Sequence, residues 1–333
     1  MPLPIGDVIG ILSDNLRLRG SVLPIPPKKA TRWARGLGLP RGGATVLYTG
    51  QMYQLIPYIE LAVRAMERVE STPLAALAPL GRRVNRLLNL TPLALRPLAR
   101  TRAPYDRVLG DIAHLLRQAG VGFGYLYDDD LYSGALAYDL GLDEVVARHA
   151  HRVVEAFRRN GVSKIITVDP HTTTMLRTVY PTLVDGFDLR VRSYLEVLAE
   201  RLPPADAPLG QRLALHDSCV LARAEGVVEQ PRALLAQAGV TVCEPAATGR
   251  LTWCCGGPVE ALYPARARAT AARRVEQLRA VAPAGVTMCP LCLVNLRKAA
   301  ADELPLRDIS QVLREAHTIP TTPTLTTATK KAD

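Results

Sequence analysis

The 333 residues of the chain, 48% of them hydrophobic, suffice for the cores of about two domains of ordinary size, which excludes a disordered tail or a disulfide-stapled miniprotein. The formal net charge of +10 sits wholly in residues 1–110, with 16 basic against 6 acidic residues, while the remainder balances at 25 against 25. With 5% aromatics and no reader motif, this basic front does not point to nucleic acid.

The chain opens Met1-Pro2-Leu3-Pro4-Ile5 without a basic leader, and Asp7 interrupts the one candidate apolar core, so no secretory segment is expected. Residues 1–43 read as an N-terminal extension. The longest uncharged run, Gly42 to Ile59, carries Thr45, Thr49, Gln51, Gln54 and Pro57 and reads as strand, turn and helix, not as a membrane span. No transmembrane helix is expected, and the expected location is cytoplasmic, or peripheral on the inner face of the membrane.

Residues 44–205 are expected to form a first module, interrupted near 71–104 by an insertion rich in Leu, Pro and Arg. Arg82, Arg83, Arg86, Arg96, Arg100 and Arg102, beside Leu87, Leu88, Leu90, Leu93 and Leu95, make it either a solvated helical excursion or a surface for an acidic partner or anionic lipids. Beyond it, Leu115-Leu116-Arg117-Gln118-Ala119-Gly120-Val121 reappears as Leu234-Leu235-Ala236-Gln237-Ala238-Gly239-Val240, an offset of 119. Tyr132-Ser133-Gly134 answers to Cys254-Cys255-Gly256 at an offset of 122, and Asp169-Pro170 to Cys289-Pro290 at 120. Three landmarks at nearly one offset indicate a duplicated module. At the front, Gly50-Gln51 corresponds to Ser218-Cys219 at an offset of 168, which the insertion accounts for.

In the first module the helical pattern runs from Asp143 to Arg159 with an Asn160-Gly161 stop, followed by a strand, Ile165 to Val168. The second module, residues 206–317, reads as strand Arg212 to His216, helix Pro231 to Ala238, strand Val240 to Cys243, long helix Pro258 to Ala282 and strand Val286 to Met288. This order predicts an α/β fold, two tandem, pseudo-symmetric βαβ-type modules with parallel sheets. The tail 318–333, with six Thr after Pro320, has little to bury and is expected to be flexible.

All six cysteines lie in the last 115 residues, a clustering that points to a reduced compartment and a metal site. Cys219 is followed by 34 residues, then Cys254-Cys255, then 33 residues, then Cys289-Pro290-Leu291-Cys292. Residues just beyond strand ends of a parallel sheet gather at one edge, so Cys219 could meet Cys289 and Cys292 there. Iron–sulfur clusters need soft thiolate ligands, and Gly256-Gly257 would let backbone approach such a core and donate amide hydrogens.

On these residues the chain resembles the CCG-domain (cysteine-rich) proteins, among them the cysteine-rich subunit of heterodisulfide reductase and the iron–sulfur subunits of anaerobic glycerol-3-phosphate dehydrogenase, glycolate oxidase and lactate-utilisation systems. Cys219, Cys254, Cys255, Gly256, Cys289 and Cys292 match the family pattern throughout, and the duplication over residues 44 to 305 matches its tandem layout. The resemblance implies one 4Fe–4S-type centre on Cys219, Cys254, Cys255, Cys289 and Cys292; the noncubane form found in heterodisulfide reductase, in which all five take part, is one option. It further implies an electron-transfer subunit of a heterodisulfide-reductase-like oxidoreductase complex, partnered by a flavoprotein or a ferredoxin-like iron–sulfur protein. No G-x-G-x-x-G loop follows a strand, so a flavin or nicotinamide would belong to another chain. Direct disulfide reduction at the cluster and a zinc-stabilised scaffold are the alternatives.

The first module departs from the pattern: Gln51, Tyr132-Ser133 and Asp169-Pro170-His171-Thr172 stand where cysteines would, so a single centre is expected. Asp169 or Thr172 reads as a helix cap, against a metal site of His171 with Asp128, Asp129 and Asp130 or a remnant pocket walled by Tyr48, Tyr53, Tyr132 and His171. Cys243 reads as a buried inert thiol, Trp253 as core packing beside the cluster, and His216-Asp217 as either a tuning pair or a solvated turn.

Overall fold

The computed structural model describes residues 5–70, 72, 78–89, 91–257, 260 and 263–318. Most of the expected tail and parts of the insertion, Leu90 included, lie outside them.

Two four-stranded parallel sheets organise the chain. The first contains β1 (Thr45–Tyr48), β2 (Gly124–Tyr125), β3 (Lys164–Thr167) and β4 (Arg190–Ser193) in the order β2-β1-β3-β4. The second contains β5 (Arg212–His216), β6 (Thr241–Cys243), β7 (Gly285–Thr287) and β8 (Leu306–Asp308) in the order β6-β5-β7-β8. Short apolar runs such as Val46-Leu47-Tyr48 and Leu213-Ala214-Leu215 are buried throughout, as strands covered by helices on both faces must be.

The duplication holds to the residue. Tyr48 pairs with Thr167 in the first sheet and His216 with Thr287 in the second, and each pair is related by the sequence offsets of 168 and 120. The repeated Ala-Gly-Val ends a helix in the same way twice. Gly120 and Gly239 have φ of 69° and 71°, and the amides of Val121 and Val240 return to the carbonyls of Leu116 and Leu235 at 3.0 and 2.9 Å. Both fourth strands run straight into capping boxes, Ser193 with Glu196 and Asp308 with Gln311.

The two modules share one hydrophobic core. Polar ties cross between them: Tyr53 Oη donates to Asp308 Oδ2 at 2.6 Å, and Thr174 Oγ1 and Arg177 Nη1 donate to the buried Glu225 carboxylate at 2.7 and 3.3 Å.

The insertion is only half solvated. Its helix Ala78–Leu87 packs on the N-terminal helix Ile5–Arg19, where Arg82 and Arg86 donate to Asp14 at 3.0 and 2.8 Å. Arg82 crosses directly over Gly10, whose position would put a Cβ 2.2 Å from the guanidinium carbon. The far side leaves Leu87, Leu88, Leu93 and Leu98 exposed, Leu87 at 85%. No helix among the described residues is long and apolar enough to cross a membrane.

Candidate metal centre

The cysteines gather where β5 and β7 end. After His216, the last residue of β5, the chain turns through Asp217-Ser218 into helix Cys219–Arg223. After β7, Cys289 precedes helix Pro290–Ala300, with Pro290 at its first position and Cys292 in its first turn. Cys254-Cys255 arrive from the loop after the short turn Gly249–Leu251. None of the six cysteines is in a disulfide.

Contacts between thiols run Cys219 to Cys254 to Cys255 to Cys292 to Cys289. Cys255, Cys289 and Cys292 are buried, and Cys219 and Cys254 keep partial exposure, so one edge of the set faces solvent. The thiols of Cys219 and Cys254 raise and lower one another: Cys219 is pushed up by that contact and by burial, Cys254 is held down by Cys219, Cys255 and the Gly256 amide. Burial would raise Cys289 too, but donation from Cys292 and His171 holds it well below the usual thiol range.

Gly256 sits at φ of 79°, and a Cβ there would lie 2.5 Å from the carbonyl oxygen of Ala267. The close approach that demands this glycine is to helix Pro264–Arg279, not to the thiols, although its amide does donate to Cys254 Sγ at 3.2 Å.

His216 and Asp217 are fully buried, which removes the solvated-turn reading. Asp217 accepts from Arg232 at 2.9 and 3.0 Å and from the Gly249 amide at 2.7 Å. Burial would raise this carboxyl, but those donors keep it below the ordinary carboxylate value. Arg274 Nε donates to His216 Nδ1 at 3.0 Å, so the ring proton is on Nε2, which has no partner. A ring nitrogen of His216 and the sulfurs of Cys255 and Cys292 lie within 4.8 Å of one another. With Nδ1 accepting from Arg274, His216 presents Nε2–H as a donor beside the thiols, and burial together with Arg274 pushes its pKa down to about 3. Ser218 Oγ and Thr287 Oγ1, at the ends of the same strands, are likewise buried without partners. Five soft thiols beside unpartnered donors suit an anionic iron–sulfide core.

The counterpart positions of the first module carry oxygen and nitrogen instead. Gln51 Nε2 donates to the Asp130 carbonyl at 2.7 Å, and Asp169 caps helix Pro170–Thr174 by accepting from the Thr172 amide at 3.0 Å. A Cβ on Gly50 would lie 2.3 Å from Thr172 Oγ1 and 2.9 Å from Ser133 Cβ, so this corner is filled. The aspartates of the alternative metal site, Asp128, Asp129 and Asp130, do not join His171: Asp130 is bonded to Thr49 and Tyr125, Asp129 to Asn160, and the carboxylate beside His171 is Asp139. Tyr48, Tyr53 and Tyr132 are fully buried with their hydroxyls engaged, which speaks against the alternative of a pocket walled by them.

Trp253 is 46% exposed, against its expected place in the core, because the loop before Cys254 turns it outward beside exposed Leu251. Cys243 is buried on β6, as expected. Sequence reasoning missed Arg274. It occupies the apolar stripe Ala267, Ala271, Arg274, Val275, Leu278, and a charge on such a stripe was the available signal.

Residues 213–297 match the cysteine-rich domain family, CCG. Over 235 residues the chain is 34% identical to an EtfAB:quinone oxidoreductase of Syntrophomonas wolfei, covering 64% of this chain and 32% of that protein. It is 32% identical over 225 residues to the "Probable iron-sulfur-binding oxidoreductase FadF" of Bacillus subtilis, with 63% and 32% covered. It is 27% identical over 220 residues to one of the subunits of the dihydromethanophenazine:CoB–CoM heterodisulfide reductase of Methanosarcina barkeri, with 61% and 54% covered. The chain thus spans about a third of the first two relatives and about half of the third. By its cysteine pattern and these matches, residues 213–297 form a CCG cysteine-rich domain, and the chain is similar to iron–sulfur oxidoreductase subunits.

Proposed function

We propose that the chain is an electron-transfer subunit of a heterodisulfide-reductase-like oxidoreductase complex, working through a single iron–sulfur cluster of the 4Fe–4S type. The observation that carries this reading is the convergence of five unoxidised thiols from three separate chain segments at one sheet edge. Cys219, Cys254, Cys255, Cys289 and Cys292 would hold the cluster, which supplies one-electron acceptance and donation when bound. Five thiols exceed the four that a cubane takes, which supports the noncubane form. The first module, with oxygen donors at the counterpart positions, supports one centre and not two. On this reading the chain divides into an extension (1–43), a cysteine-free module (44–205), the cluster module (206–317) and a tail (318–333).

The residues around the thiols have separable tasks. Buried Cys255, Cys289 and Cys292 keep water from one side, while partly exposed Cys219 and Cys254 form the edge at which electrons enter or leave. Exposed Trp253 and Leu251 beside that edge suit the docking of a flavoprotein or ferredoxin-like partner. The quinone in the name of one relative supports an acceptor of that class as well.

Metal analysis of anaerobically purified protein tests the reading. About four iron and four sulfide per chain, with an electron paramagnetic resonance signal that changes on reduction, are expected for a single 4Fe–4S-type centre. Zinc without sulfide would overturn it and leave a scaffold.

The partner surface of the insertion supports an anionic membrane face. Between Ser71 and Tyr105 there are six arginines and no acidic residue; Arg82 and Arg86 pair with Asp14, and Leu87, Leu88, Leu93 and Leu98 are exposed among the rest. The chain should sediment with vesicles containing phosphatidylserine, more weakly at high salt, and a Leu87→Ser, Leu93→Ser protein should lose most of that binding. Equal recovery with purely zwitterionic vesicles, or none with either, contradicts a membrane role and leaves an acidic protein as the partner.

A further inference from the structure

On the side of the cysteine-free module, His171 stands beside the thiol set. His171 follows Pro170 just beyond β3, and the offset of 120 makes Leu291 its counterpart in the other module. The counterpart is apolar, so the histidine is peculiar to the module that has lost its cysteines. His171 is 6% exposed, its Nδ1 lies 3.4 Å from Asp139 Oδ2, and its ring contacts the Cys289 thiol. With Nδ1 turned to Asp139, Nε2 is left as the donor toward the sulfur. Cys289 itself is wholly buried, so no water competes for that lone pair. Asp139, at the end of helix Ala135–Asp139, keeps 27% of its side chain exposed and fixes the orientation of the ring.

We propose that His171 is a positioning residue for the cluster: it reaches across the module interface, donates a hydrogen bond to the Cys289 sulfur, and thereby raises the reduction potential of the centre. The inference rests on the reading of Cys289 as a ligand. A hydrogen bond to a ligand sulfur withdraws electron density and favours the reduced, more anionic state. It also gives the first module a task that needs no cysteine of its own: it closes one side of the centre and supplies a donor to it.

The experiment compares the wild-type chain with His171→Leu, His171→Gln and Asp139→Asn. The leucine reproduces the counterpart side chain, and the glutamine keeps an N–H donor. Iron and sulfide are assayed on each sample before a potentiometric titration followed by electron paramagnetic resonance. Leucine is expected to lower the midpoint by a tenfold change in the oxidised-to-reduced ratio, about 59 mV for one electron. Glutamine should restore much of that shift, and Asp139→Asn should fall between the two. An unchanged midpoint in a fully loaded leucine variant overturns the inference and leaves the electron-transfer reading intact. Absence of iron and sulfide from the wild type overturns both. Should the leucine variant fail to load, nitrogen-15 histidine labelling decides. A histidine nitrogen coupling present in the wild-type centre and lost in His171→Gln supports the contact, and identical spectra overturn it.

Discussion

A Cys255→Ala protein is expected to retain less than half the iron and sulfide of the wild type, with a changed spectrum for what remains, and to stay folded. Cys255 stands in the middle of the thiol series, in contact with both Cys254 and Cys292, so its removal splits the set into two pairs. The alanine deletes one buried sulfur that lies beside Gly257, where a Cβ would be 3.4 Å from it, a loss of about 1 kcal/mol by the ordinary scale for small cavities. Stability measured by thermal melting of the metal-free protein should therefore change far less than metal content. Cys243→Ala is the matched control: Cys243 is also buried, but its sulfur lies near the Thr241 carbonyl on β6, and its removal should leave iron and spectrum as they were. Unaltered iron and an unaltered spectrum in Cys255→Ala would sink the five-thiol site.

That site was legible because its chemistry is written in spacing. Of the thiols separated by gaps of 34 and 33 residues, Cys219 and Cys289 fall just beyond the ends of β5 and β7 once the strands are found, while Cys254-Cys255 come from a loop; β5 and the helix Asp143–Arg159 have the bounds their patterns predict. Other boundaries moved for local reasons. The long helix expected from Pro258 begins at Pro264, whose fixed φ suits a first helical position, while parts of the preceding segment lie outside the described residues. The helix that Asp169 caps, Pro170–Thr174, is short and passes into a π-turn, Met175–Val179. What could not be read from spacing is whatever depends on which module faces which. His171 sits beside Cys289 only because the two Xaa-Pro turns meet across the module interface, and Trp253 is exposed only because of the path of one loop. Neither fact leaves a periodic trace.

Arg274→Met is expected to lower the melting temperature by roughly 5–10 °C, at about 2–4 °C per kcal/mol for a chain of this order of size, and to weaken cluster retention as well. Arg274 is 0% exposed, and among the described residues no carboxylate lies within ion-pair distance of it. Its donors go to neutral groups: His216 Nδ1, the Ala247 carbonyl at 2.8 Å, Gln277 Oε1 at 2.8 Å and Thr252 Oγ1 at 3.3 Å. A buried guanidinium without a carboxylate partner is costly unless negative charge is nearby, and the charges that favour it are Asp217 first, then the Cys292 sulfur of the thiol set and Glu244. Methionine fills similar volume but strands those acceptors. It also frees His216 to move its proton to Nδ1, which would turn Nε2 from a donor into an acceptor facing the sulfurs. The pH dependence separates these effects from simple loss of packing. The folded state keeps His216 neutral down to about 3, whereas the unfolded chain takes up the proton near 6.5, so this residue's share of stability is present above about 6.5 and lost as pH falls toward 3. Burial is the larger cause of that depression and Arg274 the next, so removing the guanidinium should make the loss of stability between pH 6.5 and 4 shallower while lowering the whole curve. A curve lowered in parallel, with iron content and midpoint potential unchanged, would reduce Arg274 to a packing residue. A shallower curve with a more negative midpoint would mark it as the buried counter-charge of the centre.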